Sequence, residues 1–185
     1  ECRQMLYTAF QHDGPTSVRY PRGAGAGVEV KKDLVNLPWG KGEVRREGKR
    51  IAILCFGTLL PSALEAAEAL DATVVNMRFV KPVDDEMVAR MAQSHDAIVT
   101  VEEHVVMGGA GSAVLESMHE QNVVVPVLQI GLPDYNIDHG EQKELLAIAG
   151  LDAQGIQASI EKRFENLLHP KSSDADGASR PRLVS

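Results

Sequence analysis

The run 96–101 is the feature that most limits the folds open to this chain. Ala97-Ile98-Val99-Thr100-Val101 is almost continuously apolar and β-branched over the length of a strand. A strand apolar on both faces must be covered on both sides, so it belongs inside a sheet flanked by helices. Glu102-Glu103-His104 follows and predicts a short acidic turn where the strand leaves the sheet. Gly108, Gly109 and Gly111 then allow close backbone approach before a helix over about 112–121. These stretches predict a strand, loop and helix of an α/β domain.

The rest of the chain repeats the alternation. Strands are predicted at 51–56, 73–79 and 123–130, and helices at 62–70, 84–93, 141–149 and 152–168. Pro61 suits the first turn of one helix, and Asp84, Asp85 and Glu86 suit the start of the next. The charged stretch 41–50, KGEVRREGKR, predicts a solvated edge hairpin turning at Glu47-Gly48-Lys49. Strands alternating with helices of this length mean βαβ units and a largely parallel sheet. Before them, 1–11 has helical spacing through Met5, Leu6 and Phe10, and 16–20 is short and β-prone. Residues 28–40 lack a clean period and read as a linker, and 169–185 as a disordered tail. The chain opens without Met, on a helix with no capping residue, and is expected to be the C-terminal piece of a longer polypeptide.

Composition narrows the function classes. A net charge of −7 and 4% aromatic residues argue against nucleic acid as a partner. Apolar runs fall well short of the ~20 residues of a membrane span. The two cysteines, Cys2 and Cys55, are far apart, and Cys55 sits in the apolar run 51–56 as a core residue. No disulfide framework or leader pattern is evident, so a reducing cytoplasm is the expected compartment.

Candidate chemistry is sparse. The Gly108–Ser112 loop could offer free amides to an anion at a helix start, although close helix–sheet packing explains the glycines equally well. It misses the dinucleotide fingerprint, because Val114 stands where the third glycine would be. Glu102, Glu103 and His104 could form an acid–base group at a strand's carboxyl end, but neighbours in a strand face opposite ways. His139 could face a ligand or mark a helix entry. His95, His104, His119 and His139 have no metal spacing. Arg22, in the glycine-dense loop 22–27, could close on a phosphate or carboxylate, or be a solvated arginine in an inter-domain connection.

Taken together, VRYPRG (18–23), FGT (56–58), MRFVKPVDD (77–85), VEEHVVMGGAGSAV (101–114) and IGLPDYNIDHG (130–140) resemble the C-terminal part of the 1-deoxy-D-xylulose-5-phosphate synthase family. The resemblance implies a three-layer α/β/α domain around a five-stranded, mostly parallel mixed sheet, like the transketolase C-terminal domain. Residues 1–29 would end a pyrimidine-binding domain, 30–40 would link, and 41–168 would be the C-terminal domain. It implies an enzyme that uses thiamin diphosphate and Mg2+ to condense pyruvate with glyceraldehyde 3-phosphate. The partners would be the remainder of the same polypeptide and a second copy, as a homodimer. Catalytic, cofactor and metal residues would lie upstream of Glu1, leaving the fragment inactive alone. Arg22 would hold the acceptor's phosphate group, with Tyr20 and Arg19 as secondary candidates. A fragment of transketolase or of a 2-oxoacid dehydrogenase β subunit is the nearest alternative, and a stand-alone anion-binding or assembly module is one of another class.

Overall fold

The structure is a computed structural model that describes residues 1–21, 27–30 and 32–169. Its centre is a five-stranded sheet. The strands are β1 (Glu43–Arg46), β2 (Ile51–Phe56), β3 (Thr73–Asn76), β4 (Ala97–Val105) and β5 (Val127–Leu132), in the spatial order β1-β3-β2-β4-β5. Only β1 runs antiparallel, against β3. The other pairs are parallel, with Ala52 beside Ile98 and Ile98 beside Val127. The predicted mixed sheet and its layers are therefore present.

Alternation along β2 shows why there are two helix layers. Ile51, Ile53 and Cys55 face a cluster built from α2 (Leu60–Leu70) and α6 (Ala153–Leu168), through Ala63, Ala66, Ala67, Ile156, Ile160 and Phe164. Ala52, Leu54 and Phe56 face the opposite cluster, built from α3 (Asp85–Ser94) and α4 (Ala110–Glu120), through Met87, Val88, Met91, Val114 and Met118. All six β2 residues are buried, as expected for a strand covered on both sides. The short α5 (Gln142–Ile148) precedes α6. Asp84 caps α3 by accepting from Met87 N at 3.2 Å, and Asp152 caps α6 by accepting from Gly155 N at 2.8 Å.

Several expectations need correction. Residues 41–50 supply the antiparallel edge strand but not a hairpin, because β3 lies between β1 and β2. Gly48 instead crosses the end of β3: its N donates to Thr73 Oγ1 at 2.9 Å, and a Cβ there would stand 2.5 Å from Asp71 O. The strand predicted over 73–79 stops at Asn76, since Arg78 takes a left-handed φ of 58°. Conversely β4 runs on to Val105, so Glu102, Glu103 and His104 lie in the strand rather than in a turn. Residues 16–20 pair with no strand among the described residues, because β propensity alone does not make a ladder. The tail predicted over 169–185 lies outside the described residues beyond His169.

The first helix, α1 (Cys2–Gln11), has no side-chain cap at Glu1, as expected. Its orientation is not what its apolar spacing suggests. Leu6 and Phe10 are exposed, Phe10 to 85%, while Thr8 is buried. The polar row Glu1, Gln4, Thr8 and His12, spaced three and four residues apart along one side of the helix, meets Asn76 and Arg78 at Glu1 and the segment 33–39 at the other three.

Burial pushes the Cys55 thiol up to about 12, so almost no thiolate exists there at neutral pH. Alkylation followed by mass spectrometry should therefore leave Cys55 unmodified in the native protein and modify it in urea. Labelling at the native rate of a free thiol would contradict its place in the core.

Candidate functional site

The strand order dictates where a ligand-sized crevice forms. From β2 the chain moves to β3 on one side, then crosses to β4 on the other, so order reverses between β2 and β4. Loops diverge at the carboxyl ends of two such strands and leave a gap. A cavity of about 290 Å³ lies there. Phe56, Gly57 and Thr58 line it from β2, Arg78 from beyond β3, and Glu102, Glu103 and His104 from β4. Arg19, Tyr20 and Pro21 close it from the N-terminal side.

The acids on its floor are already engaged. Glu102 is 3% exposed and shares the β4 face of Ile98 and Thr100. Its Oε2 accepts from Ala110 N at 2.6 Å and its Oε1 from Gly111 N at 2.8 Å. A carboxylate on the first amides of a helix is favoured by the hydrogen bonds and by the helix dipole. The approach is so close that a Cβ on Gly109 would collide with Glu102 Oε2 and lie 2.5 Å from Val105 O. A Cβ on Gly111 would lie 2.6 Å from both Thr100 Oγ1 and Gln129 Nε2. The glycines therefore serve packing around an internal carboxylate. The amides that looked available to an external anion are occupied.

Glu103 points the other way and accepts a hydrogen bond from Thr58 Oγ1, in the turn after β2. His104 Nδ1 contacts Val105 O at 3.1 Å. The three residues considered as one acid–base group thus have three separate engagements. His139 is exposed and outside the crevice, and His95 Nε2 meets Thr73 Oγ1 at 2.7 Å. Arg19 and Tyr20 lie at the crevice rim, and Arg22 lies outside the described residues.

A residue that sequence reasoning passed over is Arg78. Its side chain is 11% exposed; Nε donates to Glu1 Oε1 at 2.8 Å and a terminal nitrogen to Glu43 Oε2 at 2.6 Å. Asn76 Nδ2 donates to the other Glu1 oxygen at 2.7 Å. Burial pushes the Glu1 carboxyl up, but the bonds from Asn76 and Arg78 and the guanidinium charge together hold it below its ordinary range. The available signal was an arginine just past a buried strand, with no charged neighbour in sequence closer than Lys81.

The described residues do not fit a thiamin diphosphate and magnesium site. They hold no cluster of His, Cys, Asp or Glu suited to a metal ion. Among the described residues, the glycine-rich start of α4 holds Glu102 where a diphosphate would need free amides. No helix among them is long and apolar enough to cross a membrane.

Comparison with known proteins agrees with this architecture. Residues 40–156 match the transketolase C-terminal domain family. This chain belongs to that family. It is 63% identical over 169 residues to the 1-deoxy-D-xylulose-5-phosphate synthase of Paraburkholderia phymatum, covering 89% of this chain and 27% of the relative. It is 57% identical over 185 residues to that of Burkholderia ambifaria, covering 97% and 29%. The chain thus corresponds to the C-terminal region of such synthases and spans little more than a quarter of their length. Among solved structures, a split-gene transketolase described as an inactive β4 tetramer matches with a TM-score of 0.64 at 37% identity. The match covers 69% of this chain and 43% of that one.

Replacing Glu102 by Gln should remove one charge-assisted bond and present an amide donor to the α4 amides. Urea unfolding should show a loss of about 1.5–3 kcal/mol. A loss under about 0.5 kcal/mol, the range of ordinary surface changes, would mean that the carboxylate does not hold α4.

Proposed function

We propose that this chain is the C-terminal portion of a thiamin-diphosphate-dependent synthase that joins pyruvate and glyceraldehyde 3-phosphate into 1-deoxy-D-xylulose 5-phosphate and CO2. The observation that carries the reading is the 57–63% identity to synthases of that name over nearly the whole chain. Residues 1–29 are then the end of a pyrimidine-binding domain, 30–40 a linker and 41–168 the C-terminal domain. Catalytic, cofactor and magnesium-binding groups belong to the upstream portion, and the fragment alone is inactive. The enzyme would work in the cytoplasm.

The exposed Leu6 and Phe10 face of α1 supports an upstream partner. A helix whose apolar side faces water while its polar side is docked has an apolar neighbour elsewhere. We assign that neighbour to the remainder of the same polypeptide. A second apolar groove, bordered by the exposed Met107, Tyr135 and Ile148, is available for contact with a second copy in a homodimer.

In this reading Arg22 binds the acceptor's phosphate, with Tyr20 and Arg19 beside it. A guanidinium suits a phosphate because two parallel donors match two oxygens. In the full-length enzyme, Arg22→Ala should weaken use of glyceraldehyde 3-phosphate and largely spare pyruvate. A lost charge-assisted bond of about 1.5–3 kcal/mol corresponds to roughly ten- to hundredfold in acceptor kcat/KM. Steady-state kinetics with each substrate varied in turn checks this, and unaltered acceptor kinetics would remove the assignment.

A further inference from the structure

We propose that the segment 33–42 is a fastened strap and not a free linker. It couples helix α1 to the sheet unit, so that the two move as one body. The inference goes beyond the proposed reaction and uses none of its chemistry.

A free connection of this length would let its two flanks reorient, which is the default for units that share only a small interface. Here the connection is bonded along one side to α1. The Gln4 side chain donates to Asp33 O at 2.9 Å and accepts from Val35 N at 2.7 Å. Thr8 Oγ1 accepts from Leu37 N at 2.8 Å. His12 then stacks on Trp39, with ring centres 4.1 Å apart and planes at 7°. The residues engaged at the helix are 4, 8 and 12, and those of the strap are 33, 35, 37 and 39. That spacing has a geometric cause. Four residues of helix advance about 6 Å, and two residues of extended chain advance about 6.6 Å. Contacts made every fourth residue on one and every second on the other therefore stay in register along the length of α1.

The far end of the strap is fixed to the sheet unit. Trp39 tilts onto Phe79 at 5.4 Å, so one indole meets His12 at the end of α1 and a ring just beyond β3. Gly40 is buried with a φ of 67°, and a Cβ there would stand 2.8 Å from Pro82 Cγ. Gly42 N donates to Asp84 Oδ2 at 2.9 Å, and Lys41 Nζ meets Asp84 Oδ1 at 3.3 Å and Glu86 Oε2 at 2.6 Å. Asp84 is 4% exposed and also caps α3, so the strap ends on a group that the sheet unit already holds. At the start of α1, Glu1 accepts directly from Asn76 and Arg78. The helix is thus tied to the sheet unit at its start by Glu1 and at its end through Trp39. Each such bond is weak alone, but two attachments at opposite ends of one helix oppose rotation about either.

Hydrogen exchange on the full-length protein tests the strap, and its readout is independent of turnover. The amides of Val35 and Leu37 should exchange at least about tenfold more slowly than in a free chain of that sequence. The pair Gln4→Ala/Thr8→Val removes the bonds to Asp33, Val35 and Leu37. It should speed exchange of Val35 and Leu37 about tenfold and leave 51–56 and 97–101 protected. Inserting one glycine between Val35 and Asn36 tests the register. Extra length costs a free linker almost nothing, but here it should speed exchange of Leu37 while the same strands stay protected. Free-chain exchange of Val35 and Leu37 in the unaltered protein would overturn the strap, and that measurement decides even if a variant fails to fold. Protection that survives either change would also overturn it, since the cover would then not be α1. Neither result would touch the proposed reaction.

Discussion

Burial of β2 and of the first part of β4 on both faces is the constraint on which the rest of this structure depends. Two adjacent strands without a wet face require a helix layer on each side, and the strand order then reverses between them. The reversal opens a crevice at their carboxyl ends. It also forces a choice on β4, which carries Thr100 and Glu102 on the face turned toward α4. A buried carboxylate there needs donors of its own, and the first amides of α4 are the nearest supply. One local requirement thus accounts for the glycines, for the position of α4 and for the absence of an open anion site at that helix start.

The sequence pattern carried the layers well and the ends of elements poorly. Continuous burial in β2 and period-3.6 burial in α3 arise from side-chain contacts that covering layers on both faces of the sheet demand, so the apolar run with Ile53 and Leu54 and the helix with Val88 and Met91 were legible as buried elements. The extension of β4 through Glu103 could not. Three polar residues in a row look like a turn unless the partners that satisfy them, Ala110, Gly111 and Thr58, are known. The supposed hairpin failed for a similar reason: local charge and Gly48 mark a turn, but which strand receives β1 is settled by long-range pairing with β3. Of the candidate site, Arg19 and Tyr20 border the crevice, and Glu102 borders it with both carboxylate oxygens bonded to α4 amides. The spacing of Met5, Leu6 and Phe10 marked α1 as a helix, but the bonded row Glu1, Gln4 and Thr8 carried no sequence signal of its partners, which lie 29 or more residues away.

The two faces of α1 divide its loyalties in a physically sensible way. An apolar face contributes area-dependent and poorly directional attraction, whereas hydrogen bonds and a paired guanidinium contribute little net energy but demand one geometry. A helix that joins two folded units needs both. In the proposed full-length enzyme, bulk adhesion toward the upstream portion would complement the directional bonds that α1 makes on its other face. Glu1 makes such directional bonds to the sheet unit, and Gln4 and Thr8 make them to the segment 33–37 that leads into it.

A domain whose described residues present no assembled catalytic group can still bear on catalysis through such a seam. The catalytic advantage of a phosphate-binding arginine lies in where it stands more than in its presence, because orientation and not mere binding lowers the barrier. On the sheet unit, α1 meets Arg78 through Glu1, and Phe79 through His12 and Trp39. The sheet layers in turn hold those two residues rigid, since Met77 just before them is fully buried and still bonded to Cys55 O at 2.9 Å. The double burial of β2 thus extends, through Met77, to the two residues that receive α1.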